Sequence, residues 1–341
     1  MDRKAFLERL GEYGGLARAT LLERLPDGEP RAYLYQPMRE FCARSGKGIR
    51  PALLIASCRA FGGRLEDALT SAAALELLHN AFLIHDDIQD QSESRRGIPC
   101  LHAQLGAPLA INIGDSMLAN AFRLLRSNFS RLGPETAWRV FDEFDHLVSE
   151  SLEGQAMELG WIRDNELSIR PEDYLRMTLK KTCWYSFMHP CRIGSLIARP
   201  HEPNLDAFNA FGFYLGAAFQ IQDDVLNLVG SHDRYGKEIF GDIYEGKRTL
   251  MLSRLAAVVD PTERGRLSRF LATPRNARKE AEVAWVFNAM ERHDCVGYAG
   301  KAAAKLVEGA RAVFPAAFAS ASGVDRDFIA YCLDFVTGRD A

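Results

Sequence analysis

Residues 68–90 read ALTSAAALELLHNAFLIHDDIQD, and residues 205–228 read LDAFNAFGFYLGAAFQIQDDVLNL. Each stretch is apolar on almost every helical face before it runs into paired aspartates. A helix that is hydrophobic all round belongs at the centre of a bundle, not on its surface. Two such helices predict an all-α fold built around them, with acid placed at corresponding ends of its two greasiest elements.

The rest of the chain agrees. Apolar residues recur at spacings of three and four over 2–24, 31–44, 50–61, 66–90, 107–130, 134–160, 172–199, 204–229, 246–259, 276–293, 295–313 and 325–337, which predicts helices there. Ala, Leu, Glu and Arg dominate these segments. Pro26, Pro30, Pro99, Pro134, Pro171, Pro200, Pro203, Pro261 and Pro274 punctuate them. Alternating Val/Ile/Thr runs joined by hairpin turns are absent, and no Gly/Ser linker or charge block divides the chain. The expectation is one all-α domain over residues 1–341.

Composition narrows the function. With 42 basic and 45 acidic side chains the formal net charge is −3, so the basic excess that drives counterion release on nucleic acid is missing. The seven cysteines (42, 58, 100, 183, 191, 295, 332) are scattered and form no CxxC pair. That argues against a zinc site or a disulfide framework and for small buried hydrophobes in a reducing compartment. The start, Met1-Asp2-Arg3-Lys4, is charged rather than signal-like, and Glu76 and His79 interrupt the longest apolar run. A cytoplasmic protein without a transmembrane segment is expected.

On a helix, Asp86 and Asp90 lie one turn apart on one face, as do Asp223 and Asn227. Like charges so placed call for a cation, and oxygen-only donors suit Mg²⁺, which binds through one or two carboxylates plus substrate phosphates. The plainer possibility is a solvated acidic helix end, but its recurrence on the second greasy helix weighs against that. Cations lie where phosphates would need them: Lys47 and Arg50 at a helix start, Arg95 and Arg96 after the first acid cluster, Lys181 in mid-chain, and Lys237 and Lys247 near the second. Each alone would be an ordinary surface base. His79, two turns before Asp86, reads equally as a core histidine or a phosphate donor.

The stretches GKGIRPAL (46–53), LLHNAFLIHDDIQDQSESRRGIPCLH (77–102), GQAMEL (154–159), KT (181–182) and FGFYLGAAFQIQDDVLNLVG…GKEIFGDIYEGKRTL (211–250) together resemble the trans-isoprenyl diphosphate synthases of the polyprenyl synthetase family. The resemblance spans about residues 40–250; beyond 255 the match is in helical character alone. It implies an all-α bundle of the isoprenoid synthase type, usually a homodimer, with a central apolar cavity between the acid-bearing helices. Such enzymes join an allylic prenyl diphosphate head to tail to isopentenyl diphosphate and release pyrophosphate. By position, Asp86, Asp90 and Asp223 would bind Mg²⁺, three ions assembled with the allylic diphosphate, supported by Asp87 and Asp224. Arg95, Lys181, Lys237 and Lys247 would hold that diphosphate, and Lys47, Arg50, His79 and Arg96 isopentenyl diphosphate. Thr182 and Gln220 would stabilise the allylic cation. Asn227 departs from the acidic pattern: it keeps an oxygen acceptor and loses a charge.

In the family, bulk four, five and eight residues before the first aspartate limits product length; here those are Phe82, Ala81 and Leu78. One aromatic in this set implies geranylgeranyl diphosphate (C20), with C15 and C25 open. Two rivals stand beside the synthase. A class I terpene cyclase holds one diphosphate and would not need Lys47, Arg50 and Arg96. A non-catalytic partner subunit would have eroded acid motifs, of which Asn227 is the one sign. Gln155 and Glu158 fit the family pattern and equally a polar helix face.

Overall fold

The computed structural model describes every residue except 45, 96, 202–203, 231–238 and 339–341. Two of the basic candidates, Arg96 and Lys237, lie outside the described residues. Seventeen α-helices can be followed among the described residues. They are α1 (Arg3–Arg24), α2 (Gln36–Ala43), α3 (Ile49–Ala60), α4 (Leu65–Gln89), α5 (Leu101–Leu105), α6 (Ala107–Arg126), α7 (Asn128–Leu132), α8 (Pro134–Arg163) and α9 (Pro171–Thr178). They continue as α10 (His189–Ala198), α11 (Ala207–Val229), α12 (Gly241–Glu245), α13 (Leu250–Val258), α14 (Pro261–Leu271), α15 (Glu280–Arg292), α16 (Cys295–Ala317) and α17 (Gly323–Thr337).

The expected all-α architecture is present, with differences at the ends of elements. A two-residue antiparallel ribbon pairs Ser94–Arg95 (β1) with Ile98–Pro99 (β2) just after the first acid cluster, where no strand was expected. The segment expected at 246–259 is helical over Leu250–Val258 as α13, capped by Thr249, while the short α12 precedes it and ends at Gly246, whose φ is +72°. The 107–130 segment splits into α6 and α7, and α5 and α14 were not anticipated. In α14, Pro261 opens the helix instead of breaking it: it sits in the first turn, where no N–H is needed, behind an Asp260 side chain that accepts from the Thr262 and Glu263 amides. Between α9 and α10 the chain winds as a π-helix over Leu179–Met188. The His189 amide there reaches back five residues to the Trp184 carbonyl, beside Pro190, which has no N–H to donate.

α4 and α11 occupy the positions their sequences predict. The run Ala72-Ala73-Ala74-Leu75 on α4 is fully buried, with α1, α3 and α6 packed around that helix. α11 runs along α16 on one side and the π-helix on the other. Two main cores result. One extends from Phe6 on α1 to Val336 on α17, and Phe6 stacks on Phe328 at 4.8 Å between ring centroids. The second gathers Leu255, Leu267, Val286 and Ala299. α11 belongs to both, giving Phe208, Phe211, Leu215 and Phe219 to the first and Ile221, Val225 and Leu228 to the second. Its acid tip therefore sits near the seam between them.

All seven cysteines are buried and unbridged. Among the described residues no helix is long and apolar enough to cross a membrane.

Candidate active site

A cavity of about 600 Å³ lies between the acid ends of α4 and α11, within the size range of small-molecule sites. Asp86, Asp223 and Asp224 line it, and so do Lys47, Arg50, His79, Arg95, Lys181, Thr182, Gln220 and Lys247. Candidates separated by up to two hundred residues are thus gathered on one cavity. Phe82, Leu83, Met177, Tyr185 and Phe219 supply its apolar surface. A smaller acid-walled cleft beside it is lined by Asp86, Asp90, Asn227, Asp242, Glu245 and Lys247.

The basic wall is ordered by neighbours. Gly48 starts α3 with φ +63°, and a side chain there would meet Gly14 Cα at 2.9 Å; only glycine suits that left-handed turn. From this start Arg50 extends over the Tyr185 ring, 4.3 Å from guanidinium carbon to centroid. Its three nitrogens reach Ser186 Oγ (3.1 Å), His79 Nε2 (3.3 Å) and Tyr185 Oη (2.8 Å). His79 thus takes part in a cationic polar cluster on the cavity wall.

At the first acid tip, Asp87 is buried and holds Arg95, whose Nε lies 2.7 and 2.9 Å from the two carboxylate oxygens. Arg95 Nη2 also stands 3.5 Å from Asp86. Lys181 pairs with Glu158 and approaches Asp86 at 3.5 Å. Asp90 is turned to Lys247, 2.7 Å away, and that ammonium also meets Glu245 at 2.8 Å. Burial pushes the Asp90 carboxyl up to about 7 against the pull of Lys247, with Asp86 and Glu245 adding repulsion. At the second tip Asp224 is buried, accepting from Tyr174 Oη (2.8 Å) and Gln220 Nε2 (2.7 Å). Burial raises it too, to about 7, although those two bonds oppose the shift. The Thr182 hydroxyl donates to Gln220 Oε1 at 2.8 Å. Asn227 Oδ1 accepts from the Asp242 backbone N–H at 2.9 Å.

Leu78 and Ala81 do not line the cavity. Both are buried in the larger core: Ala81 stands about 100° around α4 from Phe82, whereas Leu78, four residues before Phe82, shares its face one turn further from Asp86. Phe82 does line it, edge-on to Tyr185 with centroids 5.9 Å apart. Tyr174, Tyr185, Asp242 and Glu245 were not singled out beforehand, and Glu158 stood open between the family pattern and a polar helix face. Tyr174, Tyr185 and Glu158 meet partners remote in sequence; Asp242 and Glu245 meet Lys247 nearby but read locally as ordinary surface acids.

Among the described residues, no three carboxylate, imidazole or thiol groups converge closely enough to hold an ion unaided. The donor set nevertheless fits a hard divalent cation that completes its shell with water and phosphate oxygens. The donors are all carboxylate oxygens, and burial holds Asp90 and Asp224 above the ordinary carboxylate range.

An all-α bundle with two acid-tipped central helices over a cation-walled cavity is a scaffold for handling diphosphates. The polyprenyl synthetase family model matches residues 31–290, reaching past the motifs that carried the resemblance. A geranylgeranyl diphosphate synthase of Sulfolobus acidocaldarius is 36% identical over 247 residues, 72% of this chain and 74% of the relative. The crystal structure of geranylgeranyl pyrophosphate synthetase from Pyrococcus horikoshii superposes with a TM-score of 0.85 at 28% identity, covering 99% of each chain. A geranylgeranyl pyrophosphate synthase of Corynebacterium glutamicum, complexed with isoprenyl diphosphate and magnesium, superposes with a TM-score of 0.81 at 25% identity, over 99% of this chain and 98% of that one. The chain belongs to the polyprenyl synthetase family and is an enzyme of the prenyl diphosphate synthase class.

Proposed function

We propose that this enzyme joins an allylic prenyl diphosphate head to tail to isopentenyl diphosphate, releases pyrophosphate, and stops at geranylgeranyl diphosphate (C20). The observation that carries the reading is the shared cavity. The acid tips of α4 and α11 with Lys181 and Lys247 form one charged group on it, and Lys47, Arg50 and His79 form a second. Two charged groups suit two diphosphates, whereas a cyclase has one to hold.

Asp86, Asp90 and Asp223 would hold Mg²⁺, as three ions bound together with the allylic diphosphate. When bound, Mg²⁺ neutralises the charge that grows on the departing pyrophosphate. Asp87 would fix Arg95 so that its outer nitrogen faces that diphosphate, and Lys181 and Lys247 would contribute the remaining positive charge. Arg96 and Lys237, outside the described residues, keep the roles their sequence positions imply. Lys47, Arg50 and His79 would orient isopentenyl diphosphate. Thr182 sends its proton to Gln220, so its oxygen lone pairs are left to face the allylic cation; Gln220 and Asp224 hold it in that orientation. Phe82, Phe219 and Tyr185 would keep water from the cation. The departing pyrophosphate is placed to take the final proton.

The C20 end point rests on Phe82, which brings bulk to the cavity one turn below Asp86, and on relatives named for that product. Purified enzyme given Mg²⁺, isopentenyl diphosphate and C5, C10 or C15 primers should yield one chelator-sensitive C20 product. Phe82→Ala should lengthen it. An unchanged product from the variant removes Phe82 as the stop, and no elongation from any primer defeats the synthase reading.

We read residues 1–341 as one polyprenyl synthetase domain acting in the cytoplasm, where unbridged thiols persist. A homodimer is the expected assembly. Ile111 on α6 and Trp138 and Leu152 on α8 leave large apolar side chains exposed, and light scattering would give the stoichiometry.

A further inference from the structure

Lys247 reaches Asp90 from a short turn, and that turn is held from behind by arginines of no evident local purpose. Arg278, between α14 and α15, is bonded to four backbone carbonyls. Its Nη1 donates to Ile243 O (3.0 Å) and Tyr244 O (2.7 Å), its Nη2 to Leu271 O (2.8 Å) and its Nε to Thr273 O (2.9 Å). One guanidinium thus bonds carbonyls at the C-terminal ends of both α12 and α14, where helix geometry leaves them few partners. Arg275 adds a 3.6 Å contact to Glu245, which itself holds Lys247. On the other side Arg248, buried, donates to Gly246 O, to Glu166 O (3.0 Å) and to Asn165 Oδ1 (2.8 Å). A side chain at Gly246 would stand 2.8 Å from both terminal nitrogens of Arg278.

Burial pushes both Arg248 and Arg278 down to about 10, with repulsion from Arg278 adding to the first and from Arg275 to the second, so charge is not what these residues gain by meeting here. What they gain is geometry: a planar fork with fixed donors, which a lysine cannot reproduce.

We propose that Arg278 is a positioning residue for the allylic diphosphate site, fixing the α12–Gly246 turn from which Lys247 is presented beside Asp90. The inference rests on the synthase reading and extends it: α14 and the start of α15, far from the acid motifs in sequence, set the height of a cation at the metal-binding pole. The isopentenyl diphosphate wall of Lys47, Arg50 and His79 shares none of these bonds.

The test uses full-length enzyme carrying Arg278→Lys, Arg278→Met or Gly246→Ala; the last disturbs the same contact from the turn without leaving carbonyls bereft of a buried cation. KM is measured for each substrate separately, and Mg²⁺-dependent binding of inorganic pyrophosphate by calorimetry. The expected result is a rise of about 10–100-fold in the allylic KM and in the pyrophosphate dissociation constant, with the KM for isopentenyl diphosphate unchanged. Phe328→Ala, which opens a cavity between α1 and α17, serves as a control destabilised elsewhere; it should lower Tm and leave both KM values alone. Wild-type constants in Arg278→Lys, or equal losses for both substrates that track Tm as in the control, overturn the proposal. Absence of product from the wild type would instead sink the synthase reading, and the pyrophosphate titration would still decide the role of Arg278.

Discussion

Asn227 directs its side-chain oxygen at the Asp242 N–H, and its own carbonyl accepts from Phe240 N–H at 2.9 Å. One residue of the second acid motif therefore anchors the chain that leads into α12. This gives a physical role to an asparagine where sequence pattern alone suggested a weakened metal ligand. Asn227→Ala leaves the half-buried Asp242 amide N–H without this acceptor, at a cost of about 1 kcal/mol. A clearly lowered Tm and a weakened response to Mg²⁺ are expected; a wild-type melting curve would show that the anchor is dispensable. The same scale separates what the sequence reveals from what it hides. Asp86 and Asp90 are legible because i and i+4 share a face, whatever the tertiary structure. Tyr174 on Asp224 and Glu158 on Lys181 are not, because each pair joins residues on separate elements and either member alone resembles an ordinary core or surface side chain.

Among the elements, α8, α10 and α11 are stapled by one ionic cluster away from the cavity. Glu143 on α8 accepts from His189 Nδ1 (2.8 Å) and from Arg192 Nε and Nη2 (2.7 and 2.8 Å), and Arg192 continues to Asp206 and Asn209 at the start of α11. Burial opposes ionisation of Glu143, but the bonds and charges of Arg192 and His189 win and hold it at about 2. Above the ordinary value of 4.5 the carboxylate is charged folded and unfolded, and its own contribution is present in full. As pH falls from 4.5 towards 2, only the unfolded chain takes up the proton, so stability is lost. Acid titration of Tm should show this loss, and Glu143→Gln should flatten it over the same range. A variant profile as steep as wild type would assign the acid limb to other groups. Element existence was legible wherever the three-and-four periodicity was long. It was not legible in α14, PTERGRLSRFL, whose charged residues and leading proline look like a connection until Asp260 is seen capping it.

At the scale of the whole molecule, the site lies near the seam between two cores that share α11. Its carboxylates are brought together by the fold, with Arg95, Lys181 and Lys247 set among them. A ligand that binds only this assembled state stabilises it through mass action, by about 2.7 kcal/mol at a hundred times its dissociation constant. Mg²⁺ with pyrophosphate should raise Tm accordingly, chelator should reverse the shift, and Asp86→Asn with Asp223→Asn should abolish it. A shift that survives chelator or the double variant would place the binding elsewhere.

The seven enclosed thiols are distributed over α2, α3, the turn before α5, the π-helix, α10, α16 and α17, so the chain carries its own set of opening reporters. Burial pushes Cys58, Cys100 and Cys332 up to about 12, so none offers a thiolate to a reagent while its helix stays in place. Each sulfur becomes alkylatable only when its own surroundings part. The order in which the seven are labelled under native conditions is then a record of which portions of the bundle breathe first, and of which ones substrate holds shut.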